Sequence, residues 1–287
     1  MASGNMKDIK RRIKSVESTK QITKAMQLVA SSKLRKAKER AESAQPFFEA
    51  FYDTMAQIQS ENRDFSSIFT NSGKTAKHLL IVIAGDRGLA GGFNTNIIKL
   101  AAERTEALGR ENVKILSVGK KAVEYYRKHG FDVFAEYPGI AEGMKIHIAS
   151  HISKRITASF AKGEIASVEV IFTTYVSPLT QNAVYRRVLP VEIPQTKSES
   201  VVGQIPVYEP SAEAVFNGLV PKYIAGVLYS SIVDSFASEQ ASRRNAMENA
   251  TDNADTMISD LSLLYNRARQ ASITQEITEI IGGAKQM

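Results

Sequence analysis

The run Gly85-Asp86-Arg87-Gly88-Leu89-Ala90-Gly91-Gly92 is the first place in this chain where residue type and spacing suggest chemistry. It follows an apolar, strand-like segment from Leu79 to Ala84, as a phosphate-cradling loop would. The spacing argues against that use. A P-loop needs Lys and then Ser or Thr directly after its last glycine, so that an amine reaches the phosphates and a hydroxyl the magnesium. Here Phe93 and Asn94 follow Gly92. The dinucleotide fingerprint needs G-x-G-x-x-G and a carboxylate about 20 residues later for the ribose, and neither is cleanly present. The run therefore reads as a tight strand-to-helix turn at the carboxyl edge of a sheet. His147 and His151 stand four apart, a spacing that suits two metal ligands on a helix. The other histidines are His78 and His129, and the pattern places no carboxylate beside the pair. A solvated helix face is the expectation, with no metal and no cofactor. No Ser-His-Asp order, glycine elbow or paired-carboxylate motif is present. The chain does not read as an enzyme.

The elements that would carry such residues must be drawn from 287 residues, 43% of them apolar and none of them cysteine. That length and composition predict a globular protein of one or two domains. The missing cysteines exclude disulfides, thiolate metal sites, cysteine nucleophiles and thiol redox control, and fit a reducing compartment. The opening residues "MASGNMKDIKRR" contain no apolar h-region. No stretch approaches the roughly 18 consecutive apolar residues of a membrane span. Neither secretion nor membrane insertion is expected.

From Asn5 to about Ser60 the chain has almost no helix breakers, and small or apolar residues recur in alternating steps of four and three. One series at heptad spacing is Ile9, Val16, Thr23, Ala30, Ala37, Ala44, Phe51 and Ile58; its companion includes Ile13, Leu34, Ala41, Phe48 and Met55. Lys20 and Gln27 interrupt the companion where Ile22, Met26 and Val29 offer a shifted stripe, so the seam is expected to drift there. Pro46 is expected to kink or end the helix. The middle, about Lys77 to Glu192, alternates strand and helix patterns in the order βαβαβαββ. That order predicts a mostly parallel sheet with one antiparallel pair at its end. Residues Pro194 to Pro210 read as a linker or surface loop. From Ser211 the helical pattern returns, with a seam at Ala250, Ala254, Met257, Leu261, Leu264, Ala268 and Ala271. Unbroken, the two helices would reach roughly 80 Å and 97 Å, so they are expected to pair antiparallel and protrude. The predicted organisation is an N-terminal coiled-coil helix over 1–60, a Rossmann-like α/β domain over 75–208, and a C-terminal coiled-coil helix over 209–287.

Charge is unevenly placed. Lys7 to Arg40 carries twelve Lys or Arg against three acids, a local +9 that leaves −2 for the rest of a chain of net +7. Such a segment predicts an acidic partner, whether nucleic acid, anionic lipid or a protein surface. Basic regions of zipper proteins lie outside their coiled coil, whereas here the apolar seam runs through the charges. The apolar face is also poor in the large residues that insert into lipid, notably between Ala30 and Ala44. The helix from Lys222 to Met287 carries six basic and eight acidic residues and offsets only part of the charge. A protein socket fits best.

The segments "MKDIKRRIKSVESTKQITKAMQLVASSKLRKA", "GDRGLAGGFNTN", "ASEQASRRNAMENATDNA" and "YNRARQASITQEITEIIGGA" together resemble the gamma subunits of F-type ATP synthases, in the right order and at both ends. In that family a cysteine commonly stands where this chain has Ala90. The resemblance implies that the coiled coil is a rotor shaft inside a hexamer of three alpha and three beta subunits. The α/β body would be a foot on the epsilon subunit and the c ring. Proton flow would turn the shaft, with catalysis on beta and none on this chain. It implies a peripheral place on the cytoplasmic face of a bacterial cell membrane, touched only through the c ring, and no nucleic acid. Carried over by residue, Met26 would face an acidic loop of beta, and Arg243, Arg269, Gln270, Thr274 and Glu276 would latch shaft to head. Ile277, Ile280 and Ile281 would form an apolar bearing tip, before Gly282 and Gly283 stop the helix. Tyr208 and Glu209 would face the c ring. The runner-up is a DNA-binding coiled-coil protein whose α/β body serves dimerisation or ligand binding.

Overall fold

The computed structural model describes residues 2–61, 65–71, 75–192 and 208–284. Most of the proline-bearing stretch from Pro194 to Pro210 lies outside them. The first helix, α1, spans Ala2–Glu61, and the last, α5, spans Ala212–Ala284. Between them run β1 (His78–Ile83), α2 (Phe93–Leu108), a 3-10 turn (Arg110–Asn112) and β2 (Val113–Val118). Then follow α3 (Lys120–Lys128), β3 (Asp132–Tyr137), α4 (Ile146–Ala161), β4 (Ser167–Tyr175) and β5 (Gln181–Leu189). Pro46 does not end α1, which continues to Glu61. Both Pro46 and Glu42 are exposed, so the Glu42 carbonyl that the proline leaves without a donor faces water. Pro221 likewise lies inside α5, where its carbonyl accepts a hydrogen bond from the Ser153 hydroxyl.

The chain divides into two compact units: Met1–Ser31 with Arg243–Met287, and Ser32–Ser242. The larger unit holds the sheet, in the order β3-β2-β1-β4-β5. Its first four strands are parallel and β5 pairs antiparallel with β4. This is the predicted α/β arrangement. The strands read as continuous apolar runs because both faces are covered. Leu79, Ile81 and Ile83 point into one core with α4 and the segments of α1 and α5 that belong to this unit. Leu80, Val82 and Ala84 alternate into the other, beneath α2 and α3.

Within the same unit α1 and α5 run antiparallel. Phe48 meets Tyr229 with ring centroids 5.8 Å apart, and Tyr52 meets Tyr223 at 6.2 Å. Gly226 permits this approach, since a Cβ there would sit 2.3 Å from the Phe48 ring. Leu34, Ala37, Met55 and Ile58 are buried at the heptad positions expected of them.

Candidate functional site

The smaller unit is a helix pair whose fully buried seam positions include small and polar groups, with larger apolar side chains half-buried along the same seam. Thr23 and Thr251 hydroxyls meet at 2.8 Å in the buried seam, and Lys20 pairs with Asp255 one turn away. Ascending numbers on α1 meet descending numbers on α5, so the pair is antiparallel. The seam keeps strict heptad register where drift was expected. Ile22 and Val29 are 58% and 55% exposed, while Lys20 and Gln27 take the half-buried positions. The reason is chemical: Asp255 satisfies the Lys20 ammonium, and the long stem of a lysine packs like an apolar side chain.

On α5 the seam departs from the expected one at three of its seven positions. Ala250, Ala254, Leu261 and Ala268 hold, but Met257, Leu264 and Ala271 are exposed, and Thr251, Ile258, Tyr265 and Ser272 take inner positions. The stripe is therefore shifted by one residue on its companion row. Gly282 and Gly283 do not stop the helix, which runs to Ala284.

The pair presents a large apolar surface to solvent. Ile277, Ile280 and Ile281 are 51%, 71% and 58% exposed near the end of α5. Leu263, Leu264 and Ile273 on α5, and Leu28 on α1, are exposed as well and carry no family expectation. Their sequence signal was a second apolar row on α5, beside the seam. A monomer rarely leaves so much apolar helix surface uncovered, and such surface marks a binding face. Met26 is half-buried on α1. Arg269, Gln270, Thr274 and Glu276 are exposed on α5, with the Thr274 hydroxyl donating to the Gln270 carbonyl at 2.9 Å. Arg243 is buried, one turn before Met247. The structure thus sets four of the five predicted polar contact residues on open helix surface and the fifth inside.

In the larger unit the glycine run is a turn from β1 to α2. Gly85 is buried, and a Cβ there would lie 2.9 Å from the Glu239 carboxyl carbon and 3.2 Å from the Asn94 Oδ1. The Gly85 N–H donates to that Oδ1 at 2.9 Å. Asp86 accepts from the backbone N–H of Lys120 at 2.9 Å and of Gly139 at 2.8 Å, tying three loops together. A carboxylate from α5 therefore stands against the opening glycine of the run. Sequence reasoning gave Glu239 no role, although it lies within the segment "ASEQASRRNAMENATDNA".

His147 and His151 are both exposed on α4, and among the described residues no group of three potential metal ligands occurs. Tyr208 is half-buried against the core and Glu209 is exposed. The buried Glu169 on β4 pairs with the half-buried Arg104 on α2 by bidentate bonds of 3.0 and 2.8 Å. Burial pushes the nearby His78 imidazole below its ordinary range, and the Glu169 charge only partly opposes this. Burial pushes the Asp234 carboxyl up, against the Tyr175 N–H that it accepts at 3.1 Å.

The comparisons with known proteins agree over the whole length. A family model described as ATP synthase matches residues 5–287. The ATP synthase gamma chain of Ruminococcus albus is 56% identical over 282 residues, 96% of each chain. The sodium ion specific ATP synthase gamma chain of Acetobacterium woodii is 40% identical over 298 aligned positions, 98% of each. Among solved structures, a chain of the Tetrahymena thermophila mitochondrial ATP synthase central stalk and c ring superposes with TM-score 0.61 at 25% identity, covering 80% of this chain and 99% of that one. A chain of the Euglena gracilis mitochondrial ATP synthase gives TM-score 0.70 at 18% identity, covering 99% and 95%. No helix among the described residues is long and apolar enough to cross a membrane. With a mostly parallel α/β sheet, long terminal helices and relatives matched end to end, the chain belongs to the ATP synthase gamma-chain family, the central-stalk subunits of that enzyme.

Proposed function

We propose that this chain is a non-catalytic rotor shaft, coupling proton flow through a membrane c ring to ATP synthesis or hydrolysis on beta subunits. The observation that carries the reading is the helix pair, on which large apolar side chains, ending in Ile277, Ile280 and Ile281, face outward. Apolar attraction is non-directional, so such a tip can turn in an apolar sleeve without breaking hydrogen bonds at fixed angles. An axle with different faces in a three-fold socket biases each catalytic site toward a different affinity, which is coupling free energy between sites.

In this reading Met26 lies near an acidic loop of beta, and Arg243, Arg269, Gln270, Thr274 and Glu276 latch shaft to head. Tyr208 and Glu209 belong to the foot, with epsilon and the c ring as neighbours. The whole is peripheral to the cytoplasmic face of a bacterial cell membrane. Domain bounds of 1–60, 75–208 and 209–287 serve this division of labour. Because a relative is named as sodium specific, the proton assignment is tested separately from the shaft.

The test is reconstitution of this chain with purified alpha and beta subunits. A complex of three alpha, three beta and one copy of this chain, with ATPase activity that the chain alone lacks, is the expected result. Failure to assemble or to change activity would sink the shaft reading. In vesicles carrying the full enzyme, ATP-driven acidification without added sodium supports protons, and strict sodium dependence overturns that part alone. Met26→Lys adds a cation beside the acidic loop and should impair pumping per ATP more than hydrolysis. Unchanged pumping per ATP would remove that contact.

A further inference from the structure

A cavity of about 280 Å³ lies where the first turn of α2 meets β4, β5 and α5. Gly92, Phe93 and Asn96 line it from α2, Thr173 from β4, and Ser242 from α5. The sheet order places β2 and β3 on one side of β1 and β4 on the other, so the winding reverses between β1 and β4. Open α/β sheets take ligands in the crevice outside the carboxyl ends of their strands at this reversal.

Two independent features make the cavity a site. The 16-residue helix α2 has Gly92 as its N-cap, with no side-chain capping bond and no acidic residue in its first turn. The Phe93 and Asn96 N–H groups are taken by the Ala90 and Gly92 carbonyls at 3.2 and 2.9 Å, so the helix end brings to the cavity its partial positive charge and the Asn96 side chain. Thr173 supplies the second. It is 4% exposed, and its hydroxyl has no hydrogen-bond partner in the structure. Strand alternation from Ile171, which packs beneath α2, turns the Thr173 side chain to the α2 face. Its backbone N–H and carbonyl are fixed by Ser235 at 2.9 Å and Ser238 at 3.1 Å, so the hydroxyl is the residue's one unmet group.

The lining decides the charge. No acidic or basic side chain lines the cavity. Ser242 is committed to the Gln181 Oε1 at 2.9 Å. An anion held there is stabilised by the helix end and by neutral donors alone, and Glu239 stands one turn before Ser242 on α5. A single negative charge is the most that such a setting favours. We propose that the cavity binds a small monocarboxylate at the N-terminal end of α2, its oxygens accepting from the Asn96 side-chain amide and from the Thr173 hydroxyl. The proposal is independent of the shaft reading.

The test is titration of the isotope-labelled full-length chain with sodium lactate, followed by amide NMR at constant ionic strength set with chloride. The expected result is saturable shifts confined to Gly92–Asn96, Thr173 and Ala183, with a Kd on the order of 1 mM for so small a ligand. Thr173→Val keeps the shape and removes the hydroxyl; it should weaken binding by about tenfold. Ala183→Leu fills the cavity and should abolish binding. Absence of saturable shifts in the unaltered chain overturns the site. Shifts that both variants leave unchanged overturn it equally. Tighter binding of inorganic phosphate dianion at alkaline pH would overturn the monocarboxylate assignment.

Discussion

The two compact units of this chain bury different kinds of side chain. In the larger unit the central strand β1 is sealed on both faces, and Leu79, Leu80 and Ile81 have no exposed surface at all. In the smaller unit the seam closes over Thr23, Ala30, Thr251, Ala254 and Ser272, while leucines and isoleucines of the same helices face outward. The first unit spends its apolar residues on its own core. The second keeps most of them for a surface. Hydrophobic burial of about 1.5–3 kcal/mol per large side chain is thus already realised in one unit and still available to a partner in the other.

Substitutions can break this contrast. Ile81→Ala should destabilise the protein by about 4 kcal/mol, because it removes a fully buried side chain from the sheet and leaves a cavity. The matching change at the exposed Ile280 should stay within about 0.5 kcal/mol. Denaturant unfolding of the two variants decides the matter, and equal costs would show that α5 already buries its end. Glu169→Ala comes next, at about 2 kcal/mol, since it removes both hydrogen bonds that the carboxylate accepts from the half-buried Arg104 guanidinium. A loss below about 1 kcal/mol in the same assay would mean that solvent replaces those bonds.

Asp234 gives a smaller effect with a definite sign. Its folded-state pKa is raised by burial. An acid so shifted contributes most below its unfolded value and loses that contribution as pH rises through the folded one. Asp234→Asn keeps an acceptor for the Tyr175 N–H and removes the charge. The variant should be more stable than the parent at neutral pH, with the difference closing below about pH 4. Thermal melts across that range test this, and a parent that gains stability with rising pH relative to the variant would refute it. The smallest effect belongs to the Thr23–Thr251 contact. Each hydroxyl has a single proton and also lies within reach of a carbonyl of its own helix, Thr23 of Lys20 at 3.0 Å and Thr251 of Met247 at 2.8 Å, so one of the two donates across the seam and the other along its helix. A double-mutant cycle to valine should therefore give a coupling of only about 0.5 kcal/mol.

Regular repetition made the fold legible. From Ile9 to Ile58 the heptad series of α1 is uninterrupted by glycine, and Ile9, Val16, Thr23, Ala30, Ala37, Phe51 and Ile58 are buried or half-buried. The central strands β1, β2 and β4 were legible because parallel strands covered on both faces read as continuous apolar runs, and β3 and β5 by their place in the strand and helix alternation. The α5 seam was only half legible. Alanines carry no preference between faces, and the exposed Met257 and Leu264 compete with Ile258 and Tyr265 for the same reading. Lys20 misled for another reason: its partner, Asp255, is 235 residues away in the chain. Glu239 was hidden likewise, because its place against Gly85 depends on how α5 meets the sheet. Gly282 and Gly283 show that glycine permits a helix end without enforcing one.

The Thr23–Thr251 and Lys20–Asp255 contacts have a mechanical consequence. Two helices joined only by alanines can slide past one another, because each small side chain fits the next notch as well as its own. Here a slip of one helical turn, about 5.4 Å, parts a charged pair and a hydroxyl pair at once. Such contacts act like the key in a keyed joint. They add little to the depth of burial, yet they fix which residue stands opposite which when the pair is pulled along its length.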